Sequence, residues 1–258
     1  MGIGIGIDTG GTYTDAVIVD LDSHGILASA KALTTREDLS LGIGAALDAL
    51  PPDRVRQAEL VSLSTTLATN ACVENKGGRA RLLLLGAHRK VVAESGRKYG
   101  LPPVEEIHFL DIRKGPKGEV LEAPDWDAFE PEARAWLADA DALAVVELES
   151  MKSADLERTA RDLVRHWLDL PVVCGHELFS DLNILQRGAG TLLNARLFPV
   201  IAEFLEAIRK ALLARSIRAP VVIVRSDGSL MSETFTAARP VETLLCGPAA
   251  SVAGGLAL

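Results

Sequence analysis

The sequence predicts an α/β fold in which a mixed sheet opens with an antiparallel meander and is flanked by helices. Three observations support this prediction. Three apolar segments joined by short turns open the chain, short apolar segments then alternate with helical patterns, and 48% of the 258 residues are hydrophobic while 24% are charged. Strands that alternate with helices are typical of α/β domains. A chain of this length and composition can bury a substantial core.

The opening meander is predicted from alternating residues and from turn residues. Isoleucines alternate with glycines over residues 3–7, which is the period-two pattern of a strand with one bare face. A turn rich in glycine and threonine leads to a second strand over 16–20, and Gly25 introduces a third strand over 26–33. Neighbouring strands with connections this short are antiparallel.

The rest of the chain is predicted to alternate short buried strands with helices. Apolar segments bounded by turn residues predict strands at 60–63, 82–85, 143–148, 171–174 and 221–224. Helical periodicity predicts helices at 39–50, from the Ser64–Thr66 caps to about Asn75, at 131–138, at 153–168, and over 182–215 with interruptions at Gly188, Gly190 and Pro199. Residues 86–125 are rich in Gly, Pro, Lys and Arg, and are predicted to form a long irregular loop.

Composition excludes several classes of protein. The 27 basic and 35 acidic residues give a net charge of −8, which argues against a general nucleic-acid binder. The three cysteines are far apart and form no CxxC pair, so a disulfide framework and a cysteine zinc site are not expected. The sequence lacks a signal peptide and an apolar run of about 18 residues, so no membrane partner is expected. These features predict a cytoplasmic protein.

The candidate chemistry lies in the turn GIDTGGTYTD at residues 6–15. Two adjacent glycines let the backbone turn with its N–H groups directed at an anion, and the threonines add hydroxyl donors. A carboxylate at the end of the first strand can hold Mg²⁺ through water, or can orient a water or hydroxyl. The predicted site residues are Asp8 as the catalytic and Mg²⁺-holding residue, and Thr9, Gly10, Gly11, Thr12 and Thr14 as the cofactor-binding residues.

Other glycine and metal motifs fit this sequence less well. A Walker A loop needs a lysine where Thr12 stands, and a dinucleotide fingerprint must open a helix, whereas a strand follows Gly6 here. The five histidines include no HxH pair, which argues against a zinc-dependent amidohydrolase, and the sequence contains no GxSxG elbow. A plain β-hairpin with a Gly-Gly turn stays open as the structural alternative, although it does not explain why Asp and Thr residues surround the glycines.

The turn resembles the first phosphate loop of the actin-like ATPases, and GIDTGGTYTDAVIVD resembles the opening of the hydantoinase A/5-oxoprolinase family. Five further segments are similar to blocks of that family in the same order, which makes the resemblance specific and extends it along nearly the whole chain. They are LSTTLATNACVENKG at 63–77, ESGRKYG at 94–100, GTLLNARLFPVI at 190–201, RSDGSLMS at 225–232 and PVETLLCGPAASVAGG at 240–255.

This resemblance implies a ribonuclease-H-like first lobe of an actin-type ATPase with an inserted α/β portion. It implies that residues 1–175 are the family's N-terminal region with the first phosphate loop. Residues 176–258 would begin the hydantoinase A region and stop before a second phosphate loop, after a helix of small residues at 247–258. The chain is therefore expected to be part of a longer protein and to be inactive alone.

The resemblance also implies an activity. Full-length relatives are expected to use ATP and Mg²⁺ to phosphorylate and open a cyclic amide such as 5-oxoproline, or to activate a ketone for carboxylation. The expected partners are that small molecule, the second lobe of the same chain and a partner subunit, with homo-oligomerisation left open. Two alternatives from the same superfamily are an ATP-driven chaperone or activator and a small-molecule kinase.

Four further residues are weaker candidates for contacting the substrate. Thr65 and Thr66 precede a predicted helix, where they either bind an anion or only cap the helix. Asn70 lies on that helix and faces either the cleft or solvent. Arg97 lies between glycines and either meets a substrate carboxylate or is a surface residue.

Overall fold

The computed structural model describes residues 2–35 and 37–257. The chain divides into two units, Met1–Gly77 with Pro199–Leu258 (unit 1) and Gly78–Phe198 (unit 2). The strands are β1 Ile3–Thr9, β2 Tyr13–Asp20, β3 Ile26–Leu33, β4 Leu60–Thr65, β5 Ala80–Leu85, β6 Ile107–Leu110, β7 Arg113–Lys114, β8 Val120–Glu122, β9 Ala142–Glu147, β10 Val172–Cys174, β11 Val221–Val224 and β12 Leu230–Ser232. The helices are α1 Leu39–Asp48, α2 Pro52–Arg56, α3 Leu67–Val73, α4 Arg89–Ser95, α5 Trp126–Trp136, α6 Asp155–Trp167, α7 Gly175–Leu178, α8 Ile184–Leu213, α9 Glu233–Ala238 and α10 Cys246–Ala257.

Unit 1 is built on a six-stranded mixed sheet of order β12-β11-β4-β1-β2-β3. The first three strands form the predicted antiparallel meander, while β1, β4 and β11 are parallel to one another. Ile3, Ile5 and Ile7 are buried on one face of β1. A Cβ at Gly4 would stand 2.7 Å from a methyl carbon of Leu21, so the bare face is used for close packing. The predicted α/β class and mixed sheet are confirmed.

Unit 2 is built on a four-stranded parallel sheet of order β10-β9-β5-β6. Both faces of this sheet are covered, as is usual for parallel sheets. Leu82 and Leu84 of β5 belong to one apolar cluster, with Ile184 of α8, whereas Leu83 and Leu85 belong to another, with the α5 and α6 side chains. The four consecutive leucines thus serve two separate cores by strand alternation.

The structure corrects two expectations. Residues 86–125 are not a long irregular loop, because they contain α4, β6 and the β7–β8 hairpin; the buried side chains of Val92 and Ile107 anchor α4 and β6 in a core cluster. The predicted interruptions do not end α8, which runs unbroken for 30 residues. A Cβ at Gly190 would lie 2.5 Å from the Phe179 ring, so this glycine admits an aromatic side chain against the helix.

His108 in β6 provides a pH test of unit 2. Its ring lies 5.0 Å from the Phe129 ring and 5.1 Å from the Trp136 ring, measured between centroids. Burial lowers the pKa of His108 below 6.5, against the opposing charge of Glu132. His108 therefore binds a proton more readily in the unfolded chain than in the folded protein. The stability that the neutral ring contributes is fully present above pH 6.5. It is lost as pH falls from that value towards the folded pKa.

We expect the wild-type protein to lose up to about 1.4 kcal/mol of folding free energy per pH unit in that window through His108. His108→Phe keeps a ring in place and removes the titrating group. The measurement is the thermal unfolding midpoint of both proteins at pH 7.5 and pH 5.5. If the unfolding midpoint falls equally in the two proteins between pH 7.5 and pH 5.5, His108 does not contribute to the pH dependence.

Among the described residues, no helix combines the length and the apolar composition that crossing a membrane requires.

Candidate functional site

The candidate site lies in unit 1, at the carboxyl edge of three adjacent parallel strands. β1, β4 and β11 all end at this edge, and β1 turns there into β2 through residues 10–12. Ligands of open α/β sheets bind outside the carboxyl ends of the strands. The fold therefore places the Gly-Gly turn where a ligand can be bound.

The turn is a tight hairpin that requires glycine. Thr9 and Thr14 are opposite each other in the register of β1 and β2, and the Gly10 N–H donates to the Tyr13 carbonyl at 2.9 Å. A Cβ at Gly10 would lie 2.9 Å from the same carbonyl oxygen, closer than real Cβ atoms approach backbone. Gly11 is half-buried and Thr12 is exposed at the tip.

Asp8 is half-buried beside this turn. The Ser64 hydroxyl, on the neighbouring strand β4, donates to Asp8 Oδ1 at 2.6 Å. A Cβ at Gly247, in the first turn of α10, would stand 3.8 Å from the same oxygen. Within residues 2–35 and 37–257, no lysine or arginine pairs with Asp8. Among the described residues, the carboxylate thus has one oxygen held by Ser64 and no basic side chain paired with it.

The side chains of Thr9 and Thr14 are fully buried. The Thr34 hydroxyl donates to the Gly10 carbonyl at 2.9 Å, so the Thr14 hydroxyl, 3.0 Å away, donates to Thr34. Thr14 therefore supports the turn from behind through Thr34. The Thr9 hydroxyl is buried and makes no hydrogen bond to the described residues. Sequence analysis missed Thr34, because no local motif shows that the residue after β3 contacts the first turn.

The β4–α3 turn is joined to the hairpin. The buried Thr65 hydroxyl donates to the Thr9 carbonyl at 3.1 Å and accepts from the N–H of Leu67, the first residue of α3, at 3.2 Å. The Thr66 N–H also donates to the Thr9 carbonyl, and Asn70 Nδ2 donates to Thr66 Oγ1 at 3.1 Å. Of the four weaker candidates, Thr65, Thr66 and Asn70 are therefore brought together beside Thr9.

Cys246 attaches the start of α10 to the same turn. Its fully buried thiol donates to the Thr65 carbonyl at 3.1 Å and accepts from the Thr65 N–H at 3.3 Å. Burial raises the pKa of Cys246, and the negative charge of Asp8 raises it further. The residue therefore remains a neutral thiol with a structural role. Sequence analysis gave it no role, since the contact joins residues 181 positions apart.

Arg97, the fourth weaker candidate, lies in unit 2. It belongs to the 3-10 turn Gly96–Tyr99, and its side chain is exposed. Its role toward a substrate carboxylate stays a prediction.

Unit 2 also contains a group of side chains of the types that bind metals. Glu157, Cys174 and His176 each offer an atom within 4.8 Å of the others. The His176 N–H and Nδ1 lie 2.9 Å and 2.5 Å from Glu157 Oε2, and burial raises the pKa of the Cys174 thiol. Hydrogen bonds within the fold thus account for this group.

Comparison with known families covers most of the chain. The model of the hydantoinase/oxoprolinase N-terminal region matches residues 4–168, and the hydantoinase/oxoprolinase model matches residues 187–258. The alpha subunit of caprolactamase from Pseudomonas jessenii is 28% identical over an alignment of 277 residues, gaps included. The alignment covers 98% of this chain and 39% of that subunit. The gamma subunit of acetophenone carboxylase from Aromatoleum aromaticum is 25% identical, over 97% of this chain and 38% of that protein.

Two solved structures are similar along the whole chain. Nucleotide-free acetone carboxylase, whose structure addresses ATP-dependent acetone carboxylation, gives a TM-score of 0.82 at 21% identity and covers 97% of this chain and 40% of that one. The ATP-dependent caprolactamase from Pseudomonas jessenii gives a TM-score of 0.78 at 25% identity. The match covers 96% of this chain and 39% of the caprolactamase chain. This chain therefore spans about two fifths of the length of these relatives.

Proposed function

The chain belongs to the hydantoinase/oxoprolinase family, and from this premise we propose that it is the phosphate-binding part of an ATP-dependent enzyme that opens a cyclic amide or activates a ketone for carboxylation. The observation that carries the proposal is the position of Asp8. Its half-buried carboxylate pairs with no lysine or arginine of the described residues and lies between a glycine hairpin and the first turn of α10. Such a carboxylate suits Mg²⁺, and a turn of glycines lets phosphate approach the backbone closely.

The residues of the site fit a magnesium nucleotide. When bound, ATP would supply the phosphoryl group that turns an amide or enolate oxygen into a better leaving group. Asp8 would hold Mg²⁺ through water, with Ser64 fixing the orientation of its carboxylate. Gly10, whose N–H closes the turn on the Tyr13 carbonyl, and Gly11 would let phosphate oxygens approach the backbone closely, and Thr12 would present an exposed hydroxyl. The positive end of the α10 dipole, near Asp8, would favour the same anionic group.

Thr9 and Thr14 have a different part in this proposal. Because their side chains are buried, they would act through the backbone and through Thr34, which together keep the turn in shape. Thr66 and Asn70 lie on the neighbouring turn, where we place the organic substrate. For Arg97 we retain the proposed contact with a substrate carboxylate.

The wider setting is part of the same proposal. We propose that residues 1–175 are the N-terminal region of the family and that 176–258 begin its second region. The fold of unit 1 would be the first lobe of an actin-type ATPase, with unit 2 as the inserted α/β portion. The relatives are named as subunits, so we also propose a partner subunit. The three cysteines are free thiols, and on this ground we propose a cytoplasmic location. The chaperone and kinase alternatives are not favoured, because those relatives are caprolactamase and carboxylase subunits.

The experiment measures phosphate release from ATP by the full-length protein together with its partner subunit. We expect release to rise severalfold when cyclic amides or ketones are added, with bicarbonate present in a parallel series. Product analysis then separates ring opening from carboxylation. A panel in which no cyclic amide or ketone stimulates release would contradict the proposal, whereas stimulation by an unfolded polypeptide or a sugar would support the chaperone or the kinase.

A further inference from the structure

A cavity of about 240 Å³ opens within unit 1 beside the hairpin. It lies between the start of α1, the helix α3 and the part of α8 that belongs to unit 1. Of the described lining residues, four are apolar, two are polar and uncharged, and three are charged. These apolar and polar residues are Leu39, Leu67, Ala71, Val200, Thr34 and Asn70.

The two polar lining residues connect the cavity to the candidate site. Thr34 donates to the Gly10 carbonyl at 2.9 Å, and Asn70 Nδ2 donates to Thr66 Oγ1 at 3.1 Å. A molecule in the cavity would therefore touch side chains that are one hydrogen bond away from the phosphate hairpin and the β4–α3 turn. Such a molecule would lie beside the proposed phosphate site, and the acceptor of a phosphoryl group has to bind next to that site.

The donors and acceptors of the cavity favour an amide. Asn70 Oδ1 makes no hydrogen bond to any residue that the structure describes, so it is available to accept an N–H from a ligand. The apolar wall suits ring methylenes, which gain free energy when they leave water. A small ring that carries one amide group matches both features.

The charges of the cavity favour an uncharged ligand. Glu74 and Glu203 line it together with Lys76, whose ammonium group lies 2.7 Å from the Glu74 carboxylate. The lining residues that the structure describes therefore carry a formal charge of −1. A ligand with a carboxylate would be repelled, and it would also have to lose water beside the apolar wall.

From this combination we propose that the cavity binds the organic substrate of the reaction, and that this substrate is an uncharged cyclic amide. The proposal rests on the proposed function and adds where the ring lies and which class of substrate is accepted. Asn70 would be a binding and specificity residue, and Val200 and Ala71 would form the wall that sets the size of the ring.

The first test compares two rings of equal size in the full-length protein with its partner subunit. The probes are 2-pyrrolidinone, which is neutral, and 5-oxoproline, which is the same ring with a carboxylate. We expect kcat/KM for phosphate release to be about tenfold or more higher with the neutral ring. Equal or higher values with 5-oxoproline, or stimulation by ketones alone, would overturn this inference and leave the proposed function standing.

The second test fills the cavity. Val200→Phe and, separately, the smaller change Ala71→Leu should raise KM for the neutral ring by about tenfold or more and leave KM for ATP unchanged. The matched control is Val73→Phe on α3, where the side chain is 82% exposed and does not line the cavity. Thermal unfolding midpoints close to wild type would show that the variants fold. An unchanged KM for the ring in both folded variants, or a raised KM for ATP, would overturn the assignment of the cavity.

Discussion

Asp8→Ala is expected to lower kcat for ATP-dependent turnover by the full-length protein by about 100-fold or more, because the variant removes the carboxylate that we propose holds Mg²⁺ beside the hairpin. Positioning and charge neutralisation dominate the catalysis of phosphoryl transfer, so the loss falls on kcat more than on KM for the organic substrate. The measurement is steady-state phosphate release with a cyclic amide that stimulates the wild-type enzyme.

Two further variants separate charge from structure. Asp8→Asn can still accept the hydrogen bond from Ser64 and removes only the negative charge, so it should lose nearly as much activity as Asp8→Ala. Asp53→Ala removes an exposed carboxylate of unit 1 that pairs with Arg56, and it should retain wild-type activity. Loss of the Ser64 contact in Asp8→Ala should cost only about 1 kcal/mol of stability. Turnover that survives in a folded Asp8→Ala enzyme would remove Asp8 from the mechanism.

The hairpin could be predicted from sequence because its determinants are local. Alternation of isoleucine and glycine fixes the strand and its faces, and the adjacent glycines fix the turn. The predicted third strand and the predicted strand at 221–224 have the same bounds in the structure. What surrounds the hairpin depends on distant parts of the chain. Ser64 and Cys246 reach Asp8 and Thr65 only because β4 and α10 pack there, and no spacing pattern reveals this.

The two wrong expectations have a common cause, which is that local propensity was overridden by packing. Because proline and glycine are frequent near Leu101, the sequence pattern did not predict the four-residue strand β6. This strand is stable because it pairs in parallel with β5. In α8, Pro199 lacks the N–H of a helical residue, yet the helix continues because Leu197 and Ile201 on either side are buried. Single glycine and proline residues therefore predicted helix interruptions that do not occur, because tertiary contacts keep the helix continuous.

Lys114→Met is expected to destabilise unit 2 by about 3–5 kcal/mol, because it breaks a buried ion pair. Lys114 in β7 forms an ion pair with Glu147 at the end of β9, and the side chains are 2% and 0% exposed. The ammonium group also donates to the Ser153 carbonyl at 2.6 Å. Removing the lysine leaves the Glu147 carboxylate buried without its cation, which costs far more than the loss of an exposed pair.

The matched control is Lys152→Met, which breaks the Lys152–Glu149 pair, whose side chains are 45% and 37% exposed. That variant should cost less than about 1 kcal/mol. The double variant Lys114→Met/Glu147→Gln removes the unpaired charge and should recover most of the stability lost in Lys114→Met. The measurement is denaturant unfolding of all the variants, and equal costs for the buried and exposed lysines would contradict the argument.

The pH dependence of the same variant tests the cause. Burial already raises the pKa of Glu147 against the opposing effect of Lys114, so loss of the lysine raises it further. A carboxyl group with a raised folded pKa is not penalised below its unfolded pKa. The penalty grows as pH rises from the unfolded pKa to the folded pKa and is constant above the folded pKa. The stability gap between wild type and Lys114→Met should therefore shrink as pH falls from 8 to 5. A gap that is independent of pH would mean that lost packing of the lysine chain, and not the buried carboxylate, causes the destabilisation.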